Sequence, residues 1–281
     1  LLEGIYENMT ARSVSDILHR GGTILQSARC KEFKTAEGVQ KAVETAKEMG
    51  LGGLVVIGGD GSFRGARDLS LAGLPTVGIP GTIDNDIGCS DYTIGFDTAL
   101  NTVQEAIDKI RDTCRSHDRC SVVEVMGRDA GYIAAHVGLS CGAEAVIIPE
   151  KPFDFRRDVL QSISEGVKRG KEQHLIIVAE GVTKDNISAI DMAKRIEEET
   201  GVETRATILG HIQRGGNPSV KDRVVASKMG YYAVELIKEG IGNRIVATKG
   251  DEIVDYDILE GLNMSKQLDL ELLKISDILA M

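Results

Sequence analysis

The stretch V-V-I-G-G-D-G-S, residues 55–62, runs from β-branched side chains directly into glycines. A buried strand of a parallel sheet ends in this way when its last peptide groups must approach a phosphate closely. The stretch therefore predicts a strand, a phosphate-binding turn and a helix in succession. A tight strand-to-helix turn that binds nothing is the simpler alternative.

Glycines in such a turn expose backbone N–H groups to an anion. We expect four glycines to do so: Gly58, Gly59, Gly61 and Gly65. Ser62 is expected to begin the helix, and Asp60 is expected to hold Mg²⁺ directly or through water. The turn is not a Walker A loop, because no Gly-Lys-Ser/Thr follows it.

A second polar segment, P-G-T-I-D-N-D at residues 80–86, follows the next apolar run. Phosphoryl transfer to a hydroxyl needs one carboxylate to accept the proton and a second group to position the metal–phosphate complex. Asp84 is the candidate base, with Thr82 and Asp86 assisting. An Asn- and Asp-rich surface turn without a chemical role is the alternative.

Arginine suits phosphate because its planar guanidinium stays charged and makes paired hydrogen bonds. An isolated arginine is more often a solvated surface charge, but several beside small residues or at predicted strand ends indicate an anion site. Those arginines are Arg29, Arg119, Arg128, Arg205 and Arg214. The loop G-H-I-Q-R-G-G, residues 210–216, places His211 beside Arg214, which favours a ligand role for His211 over a core role.

Hydrophobic periodicity predicts helices and strands in alternation over the whole chain. Helices are predicted at 35–49, from Ser62, and at 96–110, 133–139, 158–168, 188–200 and 222–238. Strands are predicted at 54–57, 74–79, 121–126, 145–148, 175–179, 204–209 and 244–247. This alternation predicts an α/β fold with two Rossmann-like lobes, each a mostly parallel sheet covered by helices on both faces. Ligands of such folds bind at the carboxyl ends of the strands.

Composition narrows the class of protein. A chain of 281 residues with 42% hydrophobic residues can bury one large or two ordinary cores, and its net charge of −10 argues against nucleic-acid binding. No apolar run approaches the roughly 18 residues of a membrane span, so we expect a cytoplasmic protein. The five cysteines show no zinc-site or disulfide spacing and are expected to be reduced thiols: Cys30, Cys89, Cys114, Cys120 and Cys141.

These motifs together resemble those of the bacterial ATP-dependent 6-phosphofructokinases, through nearly the whole chain. The matching segments are R-G-G-T (20–23) with S-A-R (27–29), G-G-D-G-S (58–62), P-G-T-I-D-N-D (80–86), S-V-V-E-V-M-G-R (121–128), E-T-R-A-T (203–207) and G-H-I-Q-R-G-G (210–216). The resemblance implies a glycolytic kinase that transfers the γ-phosphoryl of MgATP to the 1-hydroxyl of fructose 6-phosphate. It also implies an ATP-binding lobe at 1–95 plus 213–263 and a sugar-phosphate lobe at 96–212 plus 264–281.

The resemblance assigns a role to each matching residue. Asp84 looks like the general base, Thr82 and Arg128 like transition-state helpers, and Asp60 and Asp86 like the Mg²⁺ residues. Arg29 would contact the nucleotide and the phosphoryl group in transfer. The sugar phosphate would be held by Met126, Glu180, His211 and Arg214, joined by Arg119 and Arg205 from a neighbouring subunit.

Shared sites imply a homotetramer. The family also binds ADP or phosphoenolpyruvate as effectors between subunits, and four residues match that pattern: Arg111, Glu144, Arg169 and Lys171. Ala11 departs from it, because close relatives carry arginine there.

The phosphoryl donor is predicted from two glycines. The pyrophosphate-dependent branch of the family resembles G-G-D-D and P-K-T-I-D-N-D, whereas this chain has Gly61 and Gly81 at the differing positions. An acidic side chain at the first position would collide with the α-phosphate of ATP. The sequence therefore predicts ATP as the donor.

One departure concerns the amino terminus. The family begins with a strand and an S-G-G-D-x-P-G-x-N loop, and Leu1 matches a point about forty residues into the family pattern. We therefore expect a fragmentary sequence, with a non-catalytic regulatory or truncated subunit as the main alternative to a kinase. An NAD kinase-like protein is a further alternative, because that family also uses a G-G-D-G turn. That family lacks both the T-I-D-N-D segment and the arginine pairs.

Overall fold

The structure is a computed structural model that describes residues 1–114, 119–183 and 187–280. The chain divides into two compact units. Unit 1 comprises Leu1–Thr82, Asp86–Gly95 and Asn217–Lys266. Unit 2 comprises Ile83–Asn85, Phe96–Gly216 and Gln267–Met281.

The strands of the described residues are β1 (Leu54–Gly58), β2 (Thr76–Pro80), β3 (Cys120–Val125), β4 (Ala145–Ile147), β5 (His174–Ala179), β6 (Thr204–Ile208), β7 (Arg244–Lys249) and β8 (Glu252–Asp257). The α-helices are α1 (Ala36–Glu48), α2 (Asp60–Leu71), α3 (Phe96–Cys114), α4 (Tyr132–Ser140), α5 (Gln161–Lys168), α6 (Glu180–Thr183), α7 (Ala189–Thr200), α8 (Val220–Lys238), α9 (Ile258–Asn263) and α10 (Glu271–Leu279). Single turns of other helix types lie at Glu32–Lys34, Phe155–Leu160 and Gly210–Arg214.

Unit 1 is built on one four-stranded sheet in the order β1-β2-β7-β8. The first three strands are parallel, and β8 pairs antiparallel with β7. One core cluster contains Phe63 from α2 with Ile245 from β7, and another contains Met229 from α8 with Val77 from β2. Helices α2 and α8 therefore both pack apolar side chains against this sheet, as the α/β pattern predicts.

Unit 2 is built on a wholly parallel sheet in the order β4-β5-β3-β6. Its central strands read as continuous apolar runs because both faces are covered. Ile147, Ile176 and Val122 pack in one core cluster with Met192 and Ile196 of α7. The predicted fold class, two units with mostly parallel sheets, is confirmed.

Several predicted boundaries are wrong. Helix α2 begins at Asp60 and not at Ser62, because Gly59 adopts an extended conformation and caps it. A π-helical turn at Phe155–Leu160 precedes α5 where a regular helix is predicted from 158. Strand β8 and helices α9 and α10 have no counterpart in the prediction.

Cys30, Cys89, Cys120 and Cys141 are free, and the side chain of Cys114 lies outside what the structure describes. Within the described ranges, no helix combines the length and apolar character that crossing a bilayer requires.

Candidate active site

Parallel pairing in unit 1 brings the two polar segments together. β1 and β2 pair so that Gly58 lies opposite Pro80, and the Gly81 N–H donates to the Gly58 carbonyl at 2.9 Å. A Cβ placed on Gly59 would lie 3.6 Å from the Thr82 Cβ. The glycine turn (residues 58–61) therefore lies beside the start of the T-I-D-N-D segment (residues 82–86), as expected for the carboxyl ends of adjacent parallel strands.

Two glycines of the turn differ in the space around them. A Cβ on Gly58 would lie 2.3 Å from the Ser62 Oγ, so a larger residue would require Ser62 to move. A Cβ on Gly61 would meet no atom within 4 Å. Gly61 thus faces open space in the first turn of α2, where the backbone N–H groups and the helix dipole favour an anion.

The carboxylates proposed for Mg²⁺ form a sparse donor set. Asp60 Oδ2 lies 2.8 Å from the Arg64 Nε, and this contact raises the pKa of the Arg64 guanidinium. Asp86 is half-buried, and the described residues hold no group of three His, Cys, Asp or Glu side chains able to bind a metal. Two carboxylates suit Mg²⁺ when substrate phosphates and water supply the remaining ligands.

The T-I-D-N-D segment is a tight and largely buried turn. Asp84 is 8% exposed and Asn85 is 4% exposed. Asn85 adopts a φ of +52°, a left-handed conformation that asparagine tolerates better than most residues. The Thr93 hydroxyl donates to the Thr82 carbonyl at 2.6 Å, which holds the start of the segment.

In unit 2, Glu180 holds the turn that follows β3. Its Oε1 accepts from the Gly127 N–H at 3.1 Å and from the Arg128 N–H at 2.6 Å. Arg128 has a φ of +60°, which costs about 1–2 kcal/mol for a residue with a Cβ. A Cβ on Gly181 would lie 2.7 Å from the Arg128 carbonyl oxygen, so the packing permits only glycine there.

A second side chain joins this turn to the loop at 210–214. The buried Gln213 Oε1 accepts from the Met126 N–H at 2.8 Å. Its Nε2 has no hydrogen-bond partner among the described residues. His211 and Arg214, on either side of Gln213, are exposed. The parallel sheet thus brings Met126, Glu180 and this loop together at one end of the sheet, where β3, β5 and β6 have their carboxyl ends.

Two carboxylates, those of Glu124 and Glu180, interact electrostatically at this end of the sheet. Burial raises the pKa of Glu124, a residue of β3, and the neighbouring Glu180 carboxylate raises it further. A hydrogen bond from Thr183 acts in the opposite direction. Exposed cations therefore have to supply the attraction for an anionic ligand here.

Two candidate substrate arginines lie elsewhere. Arg119 precedes β3, Arg205 is the second residue of β6, and Cys120 pairs with Thr204. Glu203 contacts both arginines, at 3.0 Å from the Arg119 Nε and 2.6 Å from the Arg205 Nη2. They therefore lie at the amino ends of the strands. The length of β3, roughly 17 Å, separates them from the carboxyl ends.

The residues expected to bind effectors also lie near the amino ends of the strands in unit 2. Buried Glu144 lies 3.2 Å from the Lys171 Nζ and 2.7 Å from the Nδ1 of buried His174. Arg169 pairs with Glu165, and Arg111 donates to the Cys141 carbonyl beside this cluster. The sequence did not point to His174.

Other placements were not foreseen. Gln213 and Glu180 act on backbone groups, which a side-chain motif does not reveal. Arg29 is exposed in the irregular segment before Glu32. Gly65 lies in the second turn of α2, where a Cβ added to it would be in ordinary contact with Phe33, at 3.4 Å.

Residues 1–237 match the family model of phosphofructokinase. The chain belongs to this family. It is 54% identical over 280 residues to an ATP-dependent 6-phosphofructokinase of Alkaliphilus metalliredigens, covering 100% of this chain and 86% of that protein. It is 55% identical over 280 residues, with the same coverage, to an ATP-dependent 6-phosphofructokinase of Clostridium tetani.

The fold of the family is shared with solved structures. The phosphofructokinase of Saccharomyces cerevisiae superimposes with a TM-score of 0.85 at 30% identity, over 97% of this chain. This chain spans 41% of the yeast chain.

Proposed function

We propose that this phosphofructokinase family member is an ATP-dependent 6-phosphofructokinase of glycolysis, working in the cytoplasm. It would transfer the γ-phosphoryl group of MgATP to the 1-hydroxyl of fructose 6-phosphate. The identity of more than half over the full chain with proteins of that name supports the activity. The geometric observation that supports this function is the closeness of Gly59 in the glycine turn to Thr82 in the T-I-D-N-D segment.

We assign the nucleotide to unit 1 and the sugar phosphate to unit 2. The glycine turn and the N-terminus of α2 would bind the phosphates of ATP, with Arg29 as an added contact. Met126, Glu180, His211 and Arg214 would hold fructose 6-phosphate. The Asp84 carboxylate would take the proton of the 1-hydroxyl as the oxygen attacks, and Thr82 and Arg128 would stabilise the charge on the transferring group.

Asp60 and Asp86 would hold Mg²⁺ together with the phosphates of the nucleotide. The bound ion neutralises charge on the phosphate oxygens during transfer. Two carboxylates are few protein ligands for Mg²⁺, so phosphate and water oxygens would have to supply the others.

ADP formation from MgATP and fructose 6-phosphate is the test of this function, and Gly61→Asp is the test of donor choice. The added Cβ meets no protein atom within 4 Å, so we expect the variant to fold. A carboxylate beside the phosphates should raise KM for ATP at least tenfold, because like charges at contact repel strongly. KM for fructose 6-phosphate should stay within twofold.

Gly230→Asp is the matched control, because Gly230 is also a helical glycine with no atom within 4 Å of its added Cβ. It should leave KM for ATP unchanged. An unchanged KM for ATP in Gly61→Asp as well would show that the glycine turn does not bind the donor. Absence of ADP formation by the unaltered protein would defeat the proposed function.

We further propose a homotetramer with shared sites. Arg119 and Arg205 lie at the opposite end of the strands from Glu180 and the 210–214 loop, which supports a role for them in a neighbouring subunit's site. The same end carries Glu144 and Lys171, for which we propose a regulatory role toward ADP or phosphoenolpyruvate.

Co-expression of Asp84→Asn and Arg205→Ala chains tests the sharing. Each variant alone should be poorly active. If one chain supplies Asp84 and its neighbour supplies Arg205, random mixing restores about a quarter of the sites. Activity of the mixture no higher than the mean of the two separate variants would contradict a shared site.

A further inference from the structure

The loop at residues 90–95 follows the T-I-D-N-D segment and holds the residues at its start, Gly81 and Thr82, in place. The Thr93 hydroxyl donates to the Thr82 carbonyl at 2.6 Å, and the Ile94 N–H donates to the Pro80 carbonyl at 2.9 Å. Gly81 and Ile94 form a parallel bridge. The position of Gly81 and Thr82 is therefore set jointly by β2 and by this loop.

The loop is in turn fixed by Asp222, in the first turn of α8. The Asp222 Oδ1 accepts from the Tyr92 hydroxyl at 2.5 Å and from the Gly95 N–H at 2.7 Å. Asp222 and Tyr92 are both buried. One carboxylate oxygen thus holds both ends of the tetrapeptide that contains Thr93 and Ile94.

Other contacts make this anchor rigid. The Lys221 Nζ lies 4.5 Å from the centre of the Tyr92 ring, an attractive cation–π contact. The Ser90 hydroxyl donates to the Tyr92 carbonyl at 2.7 Å and accepts from the Thr248 N–H at 3.0 Å. A carboxylate in the first turn of a helix is favoured by the helix dipole, which keeps Asp222 a strong acceptor.

We propose that Tyr92 and Asp222 are positioning residues for phosphoryl transfer, acting through Thr93 and Ile94 on the Gly81-Thr82 peptide. Neither residue belongs to a motif that the proposed chemistry uses. The inference rests on the proposed function, because its effect is sought in the rate of transfer. Misplacement of a reacting group by a fraction of an ångström is enough to slow catalysis strongly.

Tyr92→Phe removes the hydroxyl and keeps the ring beneath Lys221. We expect kcat to fall about tenfold, with KM for both substrates within twofold, because binding groups stay in place while orientation is lost. Amide hydrogen exchange of the peptide covering residues 80–95 should become faster. Asp222→Asn, which keeps an acceptor oxygen, should show the same changes to a smaller degree.

Tyr232→Phe is the matched control. Tyr232 also lies in unit 1, on α8 itself, and its hydroxyl donates to the Asp255 Oδ2 at 2.7 Å. This variant loses the same kind of hydrogen bond and should shift the denaturation midpoint, yet kcat should not change. A tyrosine–aspartate bond that served stability alone would give the two variants the same kcat.

Two results would overturn the proposal: a kcat of Tyr92→Phe equal to that of Tyr232→Phe, or unchanged exchange at 80–95. If the unaltered protein shows no transfer, the proposed function fails and the positioning role fails with it. Faster exchange in Tyr92→Phe than in Tyr232→Phe would then support only the hold of Tyr92 and Asp222 on residues 80–95.

Discussion

Replacing Asp84 by asparagine is expected to lower kcat by about 10²–10⁴-fold, the usual contribution of a general base. The amide cannot accept a proton from the attacking hydroxyl at neutral pH. Asparagine has nearly the size of aspartate, so the buried turn should keep its shape and KM for fructose 6-phosphate should change little. Steady-state rates of ADP formation give both parameters.

Asp86→Asn separates this role from metal binding. Asp86 lies two residues from Asp84, in the same turn. Loss of the Asp86 carboxylate should raise the Mg²⁺ concentration needed for half-maximal rate. Restoration of most activity in Asp86→Asn at high Mg²⁺, but not in Asp84→Asn, would agree with the assigned roles. Turnover of Asp84→Asn within tenfold of the unaltered protein would exclude Asp84 as the base.

Replacing Glu180 by alanine should have the next largest effect. The change removes an acceptor shared by two backbone N–H groups, and hydrogen bonds to a charged group contribute about 1.5–3 kcal/mol each. Without it, Arg128 is free to leave its left-handed conformation. We expect kcat/KM for fructose 6-phosphate to fall about 10²-fold, since 1.36 kcal/mol corresponds to a factor of ten.

Glu180→Gln is the control for this prediction, because its amide oxygen can still accept from the Gly127 and Arg128 N–H groups. It should lose only about tenfold in kcat/KM, as expected when a charged acceptor becomes neutral. Denaturation curves of both variants would show whether the fold is retained. Equal losses in the two variants would mean that the charge of Glu180, and not its hold on the turn, is what matters.

Local sequence pattern predicted the parts of the fold that depend on neighbouring residues. The helix predicted at 35–49 begins where expected, because Thr35 caps α1 by accepting from the Gly38 N–H, and an N-cap needs only the three residues that follow it. The predicted start of α2 at Ser62 is wrong because three glycines of the turn precede Ser62 and glycine is a weak helix former. In the structure, the Gly59 carbonyl accepts from the Ser62 and Phe63 N–H groups, so the helix starts earlier.

Strand β8 was missed for a different reason. The residues E-I-V-D-Y-D have too few apolar side chains to mark a buried strand, and they lie at the edge of the sheet. Their pairing depends on a turn in which Gly250 takes a φ of +59°. Pairing with β7 over six residue pairs then fixes the strand, which no short window of sequence reveals.

The candidate site follows the same division. The glycine turn and Asp84 can be proposed from the sequence because each is contained in a few consecutive residues. Asp222 and Tyr92 are 130 positions apart in the chain, and Gln213 and Met126 are 87 apart. Such contacts exist only after the sheets have formed, so a single sequence carries no local signal for them.

The division of the chain into two units has a consequence for its synthesis on the ribosome. Most of unit 2 is one continuous stretch, whereas unit 1 needs Asn217–Lys266 to complete its sheet. β2 pairs with β7, so residues 81–243 must be made before this partner emerges, which at about 5–20 residues per second takes roughly 8–30 s. Throughout that interval one edge of β2 is open to pairing with other chains. The nascent polypeptide is therefore most exposed to aggregation while the second unit, and not the first, is folding.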